Sequence, residues 1–286
     1  MIKYKTFLEN NYNWVDWITL IDSWKPWKNI WIIALTHWNE IVWLEVFYRL
    51  LKDFDIKNKL KSWKIYFISA NIESYKKWLR FIDDDLNRIS DKRSLDNSYE
   101  FSRFKELINV LDELDYAIDL HSVSKWDLNI WICDECLIDE SLNFFDIKTI
   151  LYDDLSNSWA LISYLIRKNK KAFWIECWNH NSKDSFIVWY NNVLNFLSYY
   201  WFIDFCIKTS SEIDKYKFIY EIYPKSSNFK FLDDYNWFTK IKKWEAYAID
   251  NDYDYINNYW FDVYIWLCSK NIKYWESAWF LFKKTI

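Results

Sequence analysis

Apolar runs that end in polar residues alternate along this chain with stretches of helical spacing. Ile30 to Leu35 is an unbroken apolar run bounded by polar residues, the pattern of a strand buried on both faces. Ile41, Leu44, Phe47, Tyr48 and Leu51 follow it along one face of a helix. Trp17 to Ile21 reads as a strand, and Lys61 to Asn71 as a second buried one. Ser98 to Leu114 has helical spacing (Phe101, Phe104, Leu107, Ile108, Leu111). Tyr116 to Ser122 is a third short strand, Asn157 to Asn169 a helix, Ala172 to Glu176 a strand and Phe186 to Phe202 a helix. This alternation, continuing to about residue 205, predicts an α/β sheet domain. From about residue 210 the pattern changes to short β-like runs, KYKFIYEIYP, FTKIKKWEAYAID and FDVYIWLCS. The expected division is therefore an α/β domain over 1–209 and a small β-rich C-terminal domain over 210–286.

The polar residues that close these strands carry the candidate chemistry. The first buried strand ends in Thr36-His37-Trp38-Asn39-Glu40, the third in His121 and the fourth in Glu176. In open α/β sheets, ligands bind outside the carboxyl ends of the strands. Two histidines and one carboxylate leave a fourth position open, which is the make-up of a catalytic zinc site with ligands at roughly 2.0–2.2 Å. A further carboxylate off the metal would serve as general base. Two plainer readings stand beside this one, a helix-start cap for His37/Glu40 and a buried, hydrogen-bonded imidazole for His121. Asp119 shares a strand face with His121, so it either orients that imidazole or faces a helix. Residues 71–90, NIESYKKWLRFIDDDLNRIS, form a charged connection with little periodicity that leaves a strand's carboxyl end. It reads as either a solvated or a functional loop. Within it, Arg80 and Arg88 have the acidic run Asp83 to Asp85 at hand as surface salt-bridge partners.

Composition narrows the classes. With 37 basic and 41 acidic residues in 286, no nucleic-acid groove is expected. No apolar stretch approaches the about 18 residues of a membrane span. The N-terminal MIKYKTFLEN lacks a signal peptide's apolar core. Five scattered cysteines do not make a disulfide framework, and a reducing cytoplasm is the expected compartment. Cys133 and Cys136 have zinc-pair spacing but no second pair to complete a site.

The anomaly is 22 tryptophans and no glycine, where ordinary chains carry about 7% glycine. The tryptophans stand where a chain needs glycine: Pro26-Trp27 and Asn236-Trp237 as turns, Trp63 before a strand, and Trp244 between two strand-like runs. A stop codon reassigned to glycine, conceptually translated as tryptophan, would account for both numbers; a tryptophan-rich protein with aromatic platforms is the rival reading. The native protein's intact mass should then fall below 35.7 kDa.

THWNE (read as THGNE), RFIDDDLNR, DLHS and WIECW (read as GIECG) occur in this order. The chain thereby resembles the succinylglutamate desuccinylase/aspartoacylase family of zinc-dependent deacylases, relatives of the zinc carboxypeptidases. NWFTKIKKWEAYA resembles that family's C-terminal β domain, and the likeness spans roughly 29–280. It implies a three-layer, mixed central sheet of zinc carboxypeptidase type. It implies one Zn²⁺ per chain on His37, Glu40 and His121, with Glu176 as general base and Arg80 polarising the scissile carbonyl. Asn87 and Arg88 would bind a substrate carboxylate, Arg167 would be a second anchor, and Tyr274 is the nearest counterpart of a family tyrosine. The implied activity is hydrolysis of the amide of a small N-acyl amino acid carrying carboxylates. Oligomeric state, homo-oligomer included, stays open. A metallocarboxypeptidase and a non-catalytic binding member are the alternatives.

Overall fold

A computed structural model describes all residues except 1–8, 26–27, 41, 62, 91–96, 124–128, 159, 180–184, 211, 236–237, 268–278 and 286. Pro26-Trp27, Asn236-Trp237, His180, Cys268 and Tyr274 therefore lie outside the described residues. The strands used below are β1 (Ile18–Asp22), β2 (Asn29–Ala34), β3 (Lys64–Ser69), β4 (Tyr116–Val123), β5 (Asn129–Asp134), β6 (Thr149–Asp153), β7 (Lys171–Asn179) and β8 (Asp214–Ile222). The helices are α1 (Val42–Lys52), α2 (Ile72–Lys77), α3 (Tyr99–Leu111), α4 (Leu161–Arg167) and α5 (Ser185–Tyr199). Residues 1–148 with 154–213 form one compact unit, and 149–153 with 214–286 a second.

The first unit is built on a mixed sheet in the order β5-β7-β4-β2-β3-β1. Its four central strands are parallel, and β1 and β5 run antiparallel at the two sides. Alternation along the strands explains the layers, because successive side chains point to opposite faces. Trp31, Ile33, Tyr66 and Ile68 share one apolar cluster with Phe104, Leu107 and Leu111 of α3 and with Leu161 and Leu165 of α4. On the other face Phe67 meets Phe47 of α1 at 4.7 Å between ring centroids, and Phe173 meets Phe196 of α5 at 5.7 Å. Helices on both faces of a mixed sheet make the three-layer α/β arrangement read from the sequence.

The second unit is strand-rich. β8 pairs parallel with β6 and antiparallel with Trp279–Thr285, which continues to Val263–Leu267 and Thr239–Ile241. Lys230–Phe231, Ala246–Asp250 and Tyr253–Ile256 form a separate antiparallel sheet.

Two strands and part of one connection differ from the sequence reading. β5 and β6 are short apolar runs of five or six residues (NIWICD and TILYD) that periodicity alone did not separate from their surroundings. The 71–90 connection is not a solvated loop throughout. Asn71 caps α2 through its side chain, and Leu86, Asn87 and Ile89 are buried.

Backbone geometry bears on the tryptophans. Among the described residues thirteen have positive φ without being glycine, and seven of them are tryptophan. Bulky residues tolerate this region poorly. Both singled-out positions that are described are among them, Trp63 at φ 100° and Trp244 at φ 65°. Asn13-Trp14, at φ 50° and 66°, joins two short antiparallel strands as an Asn-Gly hairpin turn would. Trp78 and Trp201 stand at the left-handed ends of α2 and α5. There Leu79 N–H donates to the Ser74 carbonyl and Phe202 N–H to the Leu197 carbonyl, the pattern of a glycine-terminated helix. Both indoles are more than two-thirds exposed. Conversely Trp31 and Trp43 are wholly buried with their indole N–H groups unpartnered, contrary to the usual behaviour of buried tryptophan.

Candidate functional site

The carboxyl ends of the parallel strands gather the polar residues. β2 ends at Ala34, and Leu35 then takes φ 59° while wholly buried. A γ-branched residue in that region is strained. It holds because its carbonyl accepts from Asn71 N–H at 2.9 Å, just past the end of β3. The chain is thereby turned so that His37 and Glu40 lie within one tight turn, Glu40 N–H reaching the His37 carbonyl at 3.3 Å. His121 and Glu176 face each other in register on β4 and β7.

His37, Glu40 and His121 converge, and all three are buried. His37 Nδ1 is 2.8 Å from Glu40 Oε1, and His121 Nδ1 is 3.2 Å from Glu40 Oε2. One donor atom from each residue lies within 4.8 Å of the others. Ligands at roughly 2.0–2.2 Å around a tetrahedral ion stand about 3.4 Å apart, slightly more than the two measured contacts and within the 4.8 Å that encloses the three donors. The other ring nitrogens point to carboxylates: His37 Nε2 lies 3.1 Å from Asp85 Oδ1, and His121 Nε2 lies 3.0 Å from Asp119 Oδ2. A carboxylate behind each imidazole leaves Nδ1 of both rings turned toward Glu40, the arrangement that fixes tautomer and aim in metal-binding histidines.

Satisfaction of the buried atoms is incomplete. Glu40 Oε2 and His121 Nε2 lie 3.2 and 3.0 Å from a partner atom without a well-formed hydrogen bond. Asp119 Oδ1 and Glu176 Oε2 are also buried without a partner. Orphaned buried oxygens are costly and are a mark of a site built for something else. Burial opposes charge on both imidazoles, but Glu40 with Asp85 on His37, and Asp119 with Glu40 on His121, raise both above the ordinary histidine value. Burial also pushes the Glu40 and Asp85 carboxyls up, and the imidazoles outweigh it and hold both well below the usual range. The cluster thus calls for positive charge at its centre. His-Glu-His is a donor set that could hold a divalent ion such as zinc there.

Glu176 lies outside the three-residue cluster. Burial pushes its carboxyl up to about 7, in the range suited to a general base. Arg80 is half exposed, with its guanidinium 3.5 Å from Asp85, so the salt bridge weighed from the sequence is present. Asn87 is buried, its Oδ1 accepting from Leu161 N–H at the start of α4. Arg88 is exposed and donates to the Asn87 carbonyl. Arg167 is committed elsewhere: its guanidinium donates to the Ser156 and Ser158 carbonyls and to both oxygens of Ser90. Cys133 is buried and Cys136 exposed, and neither joins a metal-capable cluster among the described residues. The sequence offered Asp85 as a salt-bridge partner and not as the carboxylate behind His37. Its only signal was its place in the run Asp83 to Asp85.

Residues 26–141 match the family model "Succinylglutamate desuccinylase/Aspartoacylase catalytic domain". No curated protein matches the chain. Solved structures share the fold. The succinylglutamate desuccinylase of Vibrio parahaemolyticus is 18% identical with TM-score 0.75, covering 93% of this chain and 86% of that one. That of Vibrio cholerae is 17% identical with TM-score 0.74, covering 90% and 81%. The ectoine utilization protein EutE (DoeB) of Ruegeria pomeroyi, solved with product bound, is 11% identical with TM-score 0.70, covering 93% and 88%. No helix among the described residues is long and apolar enough to cross a membrane.

Proposed function

Because residues 26–141 match the succinylglutamate desuccinylase/aspartoacylase catalytic-domain model, we propose that the chain is a zinc-dependent deacylase of that family. Its substrate would be a small N-acyl amino acid bearing carboxylates. The observation that carries this reading is the buried His37–Glu40–His121 cluster, with carboxylates behind both imidazoles and Glu176 in register beside it. The expected division, hydrolase domain over 1–209 and β-rich domain over 210–286, is part of the proposal, and every residue invoked lies before 209.

His37 Nδ1, Glu40 and His121 Nδ1 would hold the ion. When bound it polarises the substrate carbonyl and acidifies water. Asp85 and Asp119 keep the imidazoles aimed. Glu176, with a proton affinity balanced near neutrality, takes the proton of the attacking water and returns it to the leaving amine. Arg80 meets the developing oxyanion. The Asn87 oxygen is spent on Leu161 N–H, so its NH₂ is what it offers a substrate carboxylate, beside the Arg88 guanidinium. Arg167 clamps Ser90 at the end of this loop. A direct grip on substrate would cost its four hydrogen bonds.

The test is a panel with zinc-loaded protein: N-acetylaspartate and N-succinylglutamate against peptides with free C-termini. Hydrolysis of the N-acyl amino acids is expected. Cleavage of the peptides alone would make the chain a metallocarboxypeptidase, and zinc binding without turnover on any substrate would make it a binding protein.

A further inference from the structure

Glu100, in the first turn of α3, is a wholly buried carboxylate that the chemistry above does not use. All its hydrogen-bond partners are donors. Oε1 accepts from Ile82 N–H at 2.6 Å and from the Asn71 side-chain amide at 3.3 Å. Oε2 accepts from Asp83 N–H at 3.0 Å and from Asp84 N–H at 3.1 Å. Three successive backbone amides curled round one anion form a nest. A turn of this kind is specified by the charge it encloses.

What this turn carries matters more than the turn itself. Arg80 lies two residues before it. Asp85 follows it directly, with its Oδ1 close to both His37 Nε2 and Asn87 N–H. Asn87 and Arg88 come next. On its other side Glu100 holds Asn71, whose N–H holds the Leu35 carbonyl two residues before His37. One carboxylate thus ties the carboxyl ends of β2 and β3 to the loop bearing Arg80, Asp85, Asn87 and Arg88.

We infer that Glu100 is a positioning residue: it sets the 82–84 turn and, through it, the placement of the substrate-binding loop against the His37–Glu40–His121 cluster. The role of that loop rests on the deacylase reading, whereas the hold on the turn does not. Glu100→Gln tests the charge, since its NH₂ would face donors with nothing to accept from it. Glu100→Asp keeps the charge but withdraws it by one methylene. Both are compared with wild type for amide hydrogen exchange over residues 81–89, zinc content, and KM and kcat on N-acetylaspartate and N-succinylglutamate.

The expected result is faster exchange at 82–84 in both variants, one zinc retained, and KM raised about ten- to a hundredfold, as small misplacements of binding groups cause. kcat should fall less than KM rises. Unchanged exchange at 82–84 overturns the inference, and so does faster exchange with KM unaltered. If Glu100→Gln does not fold, the same two comparisons in Glu100→Asp decide. If wild type turns over no N-acyl amino acid, the deacylase reading fails, and the exchange result alone decides whether Glu100 holds the turn.

Discussion

The two ends of strand β4 contrast. At its amino end, Tyr116 accepts from Lys28 Nζ at 2.5 Å, while nearby Lys171 donates to both oxygens of Glu140, and Tyr200 donates to the same carboxylate. These groups are as polar as those at the other end, but the charged pair Lys171–Glu140 is partly exposed, and the buried tyrosines Tyr116 and Tyr200 have hydrogen-bond partners. At the carboxyl end, His121 and Asp119 are buried to within 1% of full burial, beside Glu40 and Glu176, and several of their atoms are left without partners. A charged network is thus no sign of function by itself, because closed pairs contribute modestly to stability and want nothing further. Polar atoms that are buried and unsatisfied are the ones whose cost needs a reason.

Four substitutions would break or sharpen this contrast. Glu176→Gln should keep its metal and lose about 10²- to 10⁴-fold in kcat; turnover near wild type would remove it as base. Arg88→Ala should raise KM about tenfold or more for dicarboxylate substrates and little for neutral ones, as loss of a charge-assisted contact does. An equal effect on both would take it out of substrate binding. Trp201→Gly should raise the unfolding free energy by about 1 kcal/mol through relief of a left-handed bulky residue. A drop on denaturant unfolding would show that tryptophan belongs there. Tyr200→Phe, at the amino end, should cost about 1 kcal/mol in stability and leave kcat/KM unchanged. A catalytic defect there would erase the distinction between the two ends.

Much of this was legible beforehand. The apolar run Ile30–Leu35 marked a strand buried on both faces, and Tyr116–Ser122 read as a short strand ending in a histidine; position made the two histidines candidates, and their ligand role was what the resemblance implied. Hydrogen bonding over long sequence separation was not legible. Nothing in the string DDD says that Asp85 stands behind His37, 48 residues away. Nothing in Glu100 says that its carboxylate will be enclosed by amides 16 to 18 residues before it. Arg167 was a second carboxylate anchor only as the resemblance implies it, and three loop carbonyls with the Ser90 hydroxyl take up its guanidinium. The tryptophan anomaly was visible as a count. Only backbone angles revealed how many of these residues occupy turns and helix ends that glycine would fill.

The most direct measurement is zinc stoichiometry by elemental analysis on wild type, His37→Ala and His121→Ala after dialysis against equal free zinc. One zinc per chain in wild type, and its loss in both variants with folding retained, is the predicted result. Undiminished zinc in the variants, or none in a folded wild type, would contradict a metal centre at the carboxyl ends of β2 and β4.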